Sequence, residues 1–174
     1  WPFARSWYSW RGELSTTSAS TVGRWVWRFW STFLSRSHWE GKSVAAWQRL
    51  LNVPCVEIYG SLPSTNERAR ELAREGGASF SVVIAEAQTA GRGRAGKRWD
   101  SPAGMGLWLS FLLRVRSQAQ PTLVPILVGL AAARAIETAC SGSTPGIKWP
   151  NDVMIRGRKI SGILVETAMD GAEV

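Results

Sequence analysis

The chain has 174 residues, 45% of them hydrophobic and 20% charged, and a net charge of +8 at neutral pH. That length and composition suit one globular domain with a real core, and no run of about 18 apolar residues is present to span a membrane. Two well-separated cysteines, Cys55 and Cys140, and one histidine, His38, exclude a disulfide framework and a zinc or histidine metal cluster.

The charge is uneven. Residues 1–50 hold seven Arg or Lys and two Glu, whereas residues 51–174 hold fourteen and eleven. Eight of the eleven tryptophans also fall within residues 1–47. No helical or strand periodicity is sustained in this segment, and Arg24, Arg28 and Arg36 interrupt its apolar runs, unlike the core of a signal peptide. A cytoplasmic location follows by default. Two readings of residues 1–50 stand: a Trp- and Arg-rich platform for nucleic acid or a membrane surface, or a non-native or disordered segment upstream of a domain at 51–174. The chain begins at Trp1 and its first Met is Met105, which suits the second.

From Ser43 the pattern becomes ordinary. Residues 55–60 alternate as a short strand. "STNERARELAREGG" predicts a helix with Ser64 as N-cap, Glu67 completing a capping box, and Gly76 ending it. Residues 79–87 and 106–114 predict two further strands, the first buried. Residues 121–140 form the longest helix candidate, starting near Pro125; being apolar nearly all round, it is expected to be central. Residues 153–167 predict a hairpin turning at Arg156–Gly157–Arg158. The fold class expected is α+β, with a mixed or antiparallel sheet flanked by helices.

The chemistry concentrates in two stretches. The first, "TAGRGRAGKRW" (89–99), follows a strand and places Arg92, Arg94, Lys97 and Arg98 among Gly91, Gly93 and Gly96. These glycines spell G-x-G-x-x-G, but Pro102, Gly104 and Gly106 prevent a helix from starting and no acidic residue lies between Asp100 and Glu137, so a dinucleotide fold is rejected. A P-loop is rejected because Arg98 stands where Ser or Thr must bind magnesium. An RNA-binding glycine–arginine tract would be long and repeated. What remains is a cationic loop, kept mobile by its glycines, able to cover a phosphorylated ligand and exclude water, or else a solvated basic turn.

The second stretch is "IKWPNDVMIRGRKISGILVE" (147–166). Lys148 beside Trp149, Asn151 and Asp152 is a candidate charge stabiliser in an apolar neighbourhood. Taken singly, such a lysine is also a common surface residue and Pro-Asn-Asp a common turn.

Together, the Ser64–Thr65–Asn66 helix start, the Gly-Arg-Gly-Arg loop and Lys-Trp-Pro-Asn-Asp, in this order, resemble the catalytic domain of biotin protein ligases over about residues 55–170. The resemblance implies the incomplete core of a fold like that of class II aminoacyl-tRNA synthetases. It implies that ATP and biotin form biotinyl-AMP with Mg²⁺ present, and that the biotinyl group then passes to a lysine of a biotin carboxyl carrier domain. It assigns biotin contacts to Ser64, Thr65, Asn66, Gln88, Arg92, Gly93, Arg94, Lys148 and Gly162. Nucleotide contacts fall to Arg94, Lys97, Trp99, Asn151 and Lys159, and a metal contact to Asp152. Lys148, Arg92 and Arg94 are the expected catalytic cations. Family members continue past the hairpin with a Gly-x-Gly-x-Asn strand, further helix and a small β-barrel, none of which follows before Val174, so a truncated domain is expected. Residues 1–50 lack a helix-turn-helix pattern, so no specific DNA binding is expected, and a homodimer is left open. A lipoate or octanoate ligase or transferase of the same fold and a nucleic-acid-binding module are the alternatives.

Overall fold

A computed structural model describes residues 35–115 and 121–167. A tight hairpin, β1 (His38–Trp39) and β2 (Lys42–Ser43), leads into α1 (Val44–Leu51), which Ser43 caps by accepting the Ala46 N–H. Then come β3 (Val56–Leu62), α2 (Thr65–Arg74) and β4 (Ser81–Gln88), with β5 (Trp108–Leu112) after the arginine loop. The chain resumes with α3 (Val124–Ala139), β6 (Gly146–Lys148), β7 (Asp152–Ile155) and β8 (Arg158–Gly162).

Two three-stranded sheets result. In the first, β4 lies parallel to β3 and antiparallel to β5; in the second, β6, β7 and β8 are all antiparallel. The expected α+β class with mixed and antiparallel pairing is what forms. The β3–α2–β4 crossover accounts for the parallel pair, because parallel neighbours need a long connection and here a helix supplies it.

The first sheet is buried on both faces, which explains its near-continuous apolar runs. Tyr59, Val83 and Ala85 share one face by period-two alternation and pack, together with Leu62 from the end of β3, with Ala69 and Leu72 of α2, with Leu112 alongside. Val56, Ile58, Val82 and Ile84 face the other way, against Trp39, Val44, Trp47, Val53 and Leu109. The Trp47 indole donates to the Trp39 carbonyl at 2.8 Å and its ring lies 5.3 Å from that of Trp39. Residues 36–51 therefore belong to the folded domain and shield one face of its sheet, although they lie on the far side of the boundary expected at residue 50. The Trp-rich stretch before residue 35 lies outside the described residues.

Beneath α2, Arg68 is only 12% exposed and ion-paired to Glu57, Glu71 and Glu75. Its hydrogen bonds to Glu57, ahead of the other causes, hold its guanidinium well above the ordinary range. Arg114 donates to the carbonyls of Ala73 and Gly77, satisfying the last turn of α2, whose exit Gly76 makes at φ +86°.

The expectation for α3 needs correction. The helix forms, but among its described residues only Gly129 and Ala133 are buried, while Leu127 is 62% and Leu130 42% exposed. It rests on β6 and β7 with the stripe carrying its smallest residues. An all-apolar helix becomes central only where it is covered on every side, and among the described residues one sheet lies against it. The expected hairpin forms with β7 and β8 joined by Arg156 and Gly157 at φ +48° and +75°, the positive angles a two-residue type I′ turn requires.

Candidate functional site

The N-terminus of α2 and the strand ends β4 and β5 build a buried polar cluster. Ser64 occupies the N-cap position, but its side chain makes no cap bond, and Glu67 reaches toward Arg92 instead of closing a capping box. That expectation is corrected: the cap comes from another strand. The Gln88 Oε1 accepts from the Thr65 N–H at 2.9 Å and from the Thr65 hydroxyl at 3.1 Å, and its Nε2 donates to the Ser101 hydroxyl at 2.8 Å. The Ser110 hydroxyl, facing α2 from β5, lies 2.8 Å from Thr65 Oγ1 and also reaches Asn66 Oδ1. Asn66 Nδ2 donates to the Leu164 carbonyl and to Glu166. Ser64, Thr65, Asn66 and Gln88 are thus brought together as expected, with Ser101 and Ser110 added.

The arginine loop is ordered rather than kept mobile by its glycines. The Gly93 N–H donates to the Lys97 carbonyl at 2.7 Å, the Trp99 N–H to Gly91 at 2.9 Å, and the Gln88 N–H to Ser101 at 3.0 Å. Arg94–Gly96 form a tight turn in which Ala95 at φ +55° and Gly96 at φ +71° are both left-handed. Gly91 is buried for a packing reason: a Cβ there would collide with the Trp99 carbonyl and lie 2.9 Å from the Ser101 hydroxyl. The loop needs glycine at 91 to fold back on itself.

The two distant motifs meet at one hydrogen bond. Arg94 Nη1 donates to Asn151 Oδ1 at 3.1 Å. Asn151, just ahead of β7, is held by the segment that follows β8, Nδ2 donating to the Ile163 carbonyl at 3.0 Å and its carbonyl accepting the Ile163 N–H at 2.9 Å. With its amide nitrogen committed to a carbonyl, Asn151 can offer only oxygen to the arginine.

Lys148 stands opposite Asp152 in the β6–β7 register, and Asp152 stands opposite Gly162. Residues directly opposite share a face, so these three form one row. Lys159 closes onto that row: its ammonium lies 2.7 Å from Asp152 Oδ1 and 4.7 Å from the Trp99 ring centroid. A Cβ on Gly162 would come within 3.0 Å of both the Lys159 ammonium and the Trp99 ring. Gly162 therefore makes room for those side chains, a neighbour other than the ligand expected from sequence.

The neighbourhood expected of Lys148 is corrected. Lys148 is exposed and Trp149 is 76% exposed, so no apolar neighbourhood surrounds the lysine among the described residues. The chain turns immediately after Lys148, and the indole faces outward. The Lys97 side chain is exposed without a polar partner among the described residues, and Arg98 is paired with Asp100, that arginine and aspartate both more than 80% exposed.

The charge pattern is asymmetric. Arg92 lies 3.7 Å from Glu67 and 3.8 Å from Glu166, and Lys159 is paired with Asp152. Arg94 and Lys148 have no carboxylate partner among the described residues. The arrangement offers two uncompensated cations beside a neutral hydrogen-bonding cluster, suited to a ligand with a polar neutral head and an anionic end. Among the described residues no three His, Cys, Asp or Glu converge as a metal cage. Asp152 alone suits a magnesium ion held largely by phosphates and water.

Sequence reasoning gave Gly91 only a place in the loop and Glu67 only a capping role, and it missed Ser101, Ser110 and Glu166. Ser110 carried a signal: it is the polar residue on the helix-facing side of an otherwise apolar strand, "WLSFL".

Fold and site together describe an α+β domain that carries an arginine loop beside a buried polar cluster. The sequence model of the biotin/lipoate A/B protein ligase family matches residues 60–173, and the chain belongs to that family. It is 43% identical over 107 residues to the bifunctional ligase/repressor BirA of Bacillus subtilis, covering 60% of this chain and 32% of that protein. It is 37% identical over 112 residues to the biotin–[acetyl-CoA-carboxylase] ligase of Paracoccus denitrificans, covering 64% and 46%. Among solved structures, the biotin protein ligase of Aquifex aeolicus in complex with biotin and ATP superposes with a TM-score of 0.59 at 34% identity, over 67% of this chain and 48% of that one. The chain therefore spans about a third to a half of the relatives it matches. No described helix is long and apolar enough to cross a membrane.

Proposed function

We propose that this domain joins biotin to ATP, forming biotinyl-AMP, and serves transfer of the biotinyl group to a lysine of a carboxylase's biotin carrier domain. The observation that carries this reading is the Arg94–Asn151 hydrogen bond, which couples the arginine loop to the Lys148 motif across the candidate pocket. Names and bound ligands of the relatives support it.

In this reading the neutral cluster of Thr65, Asn66 and Gln88, backed by Ser64, Ser101 and Ser110, binds the polar ring of biotin. The biotin carboxylate attacks the α-phosphorus of ATP and pyrophosphate leaves. An anion approaching a triphosphate is repelled, and negative charge grows on the phosphoryl oxygens. Arg94 and Lys148 are the cations with charge to spare for that moment, and Lys159 adds a third, steadied by Asp152 and Trp99. Asn151 holds Arg94 in place and lies beside the nucleotide; Gly93 lets backbone and ligand approach closely, while Gly162 makes room for Lys159 and Trp99. Asp152, with the phosphate oxygens, would hold Mg²⁺, which supplies further charge neutralisation when bound. The carrier lysine amine then attacks the acyl carbon and AMP leaves. A folded loop over the mixed anhydride keeps water from doing so first. The uncompensated cations favour a nucleotide-using ligase over an acyltransferase that handles no phosphate.

The site lies wholly within residues 51–174, and no operator-binding role is assigned to residues 1–50. The test is biotin-dependent exchange between ATP and pyrophosphate, measured on this chain and on the full-length gene product. Exchange is expected with biotin and not with lipoate, and Lys148→Ala is expected to abolish it while leaving the unfolding midpoint nearly unchanged. Exchange driven by lipoate alone, or an unimpaired Lys148→Ala, would overturn the assignment.

A further inference from the structure

The two loop arginines, equivalent in sequence, are not equivalent in space. Arg92 lies between two carboxylates, Glu67 of α2 at 3.7 Å and Glu166, beyond β8, at 3.8 Å. Glu166 also accepts from Asn66 Nδ2 at 3.1 Å and lies 3.3 Å from Arg70 Nη2. Two cations and two carboxylates thus form a neutral quartet, and only 27% of the Glu166 side chain is exposed. Among the described residues the Arg94 side chain bonds only to the neutral Asn151 amide.

We propose that Glu166 is a positioning residue that clamps the arginine loop to the start of α2, and that this divides the arginines into an anchor, Arg92, and a ligand-facing cation, Arg94. The physical basis is competition. A ligand anion recruiting Arg92 would have to displace two carboxylates already in place, whereas Arg94 carries its full charge unspent. Glu166 also orients the Asn66 amide, since a carboxylate can accept only from Nδ2, leaving Oδ1 toward Ser110. The inference rests on the ligand-covering role read for the loop above, yet the clamp itself is measurable without ligand.

The loop carries its own reporter. Arg92, Arg94, Lys97 and Arg98 are trypsin sites, and native-state cleavage tracks local opening. In the full chain, Glu166→Gln is expected to speed cleavage after residues 94, 97 and 98 by about two- to fivefold, the range a part-exposed ion pair supports. Glu67→Gln, at a more exposed carboxylate that tolerates substitution, gives a smaller rise. Glu75→Gln makes the same charge change at the Arg68 cluster and leaves loop cleavage unaltered. In an Arg92→Met background, Glu166→Gln has no further effect, because the pair is already broken.

Equal loop cleavage in wild type, Glu166→Gln and Glu67→Gln overturns the clamp, as does full additivity of Glu166→Gln with Arg92→Met. A parallel digest with biotin separates the two readings. Biotin protecting the wild-type loop while Glu166→Gln changes nothing refutes the clamp and retains the ligand assignment. Faster cleavage in Glu166→Gln with no protection by biotin retains the clamp and refutes that assignment.

Discussion

Gln88→Met keeps the length and most of the volume of the side chain while deleting both ends of its amide. Three bonds go: two accepted from Thr65, at 2.9 and 3.1 Å, and one donated to Ser101 at 2.8 Å. Thr65 and Ser101 are each only 4% exposed, so water cannot readily replace the lost partner. At about 1 kcal/mol net per bond, and more for a buried N–H left without an acceptor, the expected loss is about 3 kcal/mol. For a domain of this size that corresponds to a fall of roughly 10 °C in Tm. Gln88→Glu separates the chemistry from the volume. A carboxylate at the start of α2 still accepts from Thr65, is favoured by the helix dipole, and can accept from the Ser101 hydroxyl. Its cost should stay under about 1 kcal/mol at neutral pH and grow as pH falls through the carboxylate range near 4.3. Urea unfolding followed by far-UV circular dichroism measures both variants. A Gln88→Met protein within about 0.5 kcal/mol of wild type, or a Gln88→Glu variant equally destabilised at pH 7, would refute the cross-strand cap.

Other outcomes follow from the same geometry. Gly91→Ala drives a methyl into the Trp99 carbonyl; it should cost about 1–3 kcal/mol as an overpacked site and weaken biotin binding more than Gly96→Ala, which meets no neighbour and is strained only by its φ of +71°, as read by calorimetry and melting. A chain starting at residue 51 loses Trp39, Val44 and Trp47 from one face of the first sheet; it should be less stable by more than about 3 kcal/mol than a chain starting at residue 36, as read by chemical denaturation. Burial, then the Glu57 carboxylate, push the Tyr59 phenol above its ordinary value near 10. Its neutral form is thus favoured by folding, so its contribution is fully present below pH 10 and declines as pH rises beyond; a denaturation series from pH 8 to 11 should show that decline, and Tyr59→Phe should flatten it. Burial likewise raises the Cys55 thiol, so exposed Cys140 should react first with a thiol reagent.

Much of the molecule was legible in the sequence because the relevant physics is local. The alternation in β3 and β4, the apolar face of α2, the Gly76 exit and the Arg156–Gly157 turn each depend on neighbouring residues and a fixed period. The composition of residues 89–99 marked a cationic, glycine-punctuated loop for the same reason. The capping box failed where a distant residue outbid a local one, Gln88 reaching Thr65 across 23 positions. The α3 expectation failed because composition reports that a helix is apolar, not how many sides are covered.

What the chain determined by itself is the list of elements, their punctuation and the chemical character of both motifs, all written in contacts a few residues apart. What only the tertiary structure decided is which of those groups meet: Arg94 with Asn151 across 57 positions, Asn66 with Glu166 across 100, and Arg92 between two carboxylates. Such pairings depend on how two sheets and a helix are placed, which no short stretch encodes. That placement sets Arg92 between carboxylates and leaves Arg94 without one among the described residues.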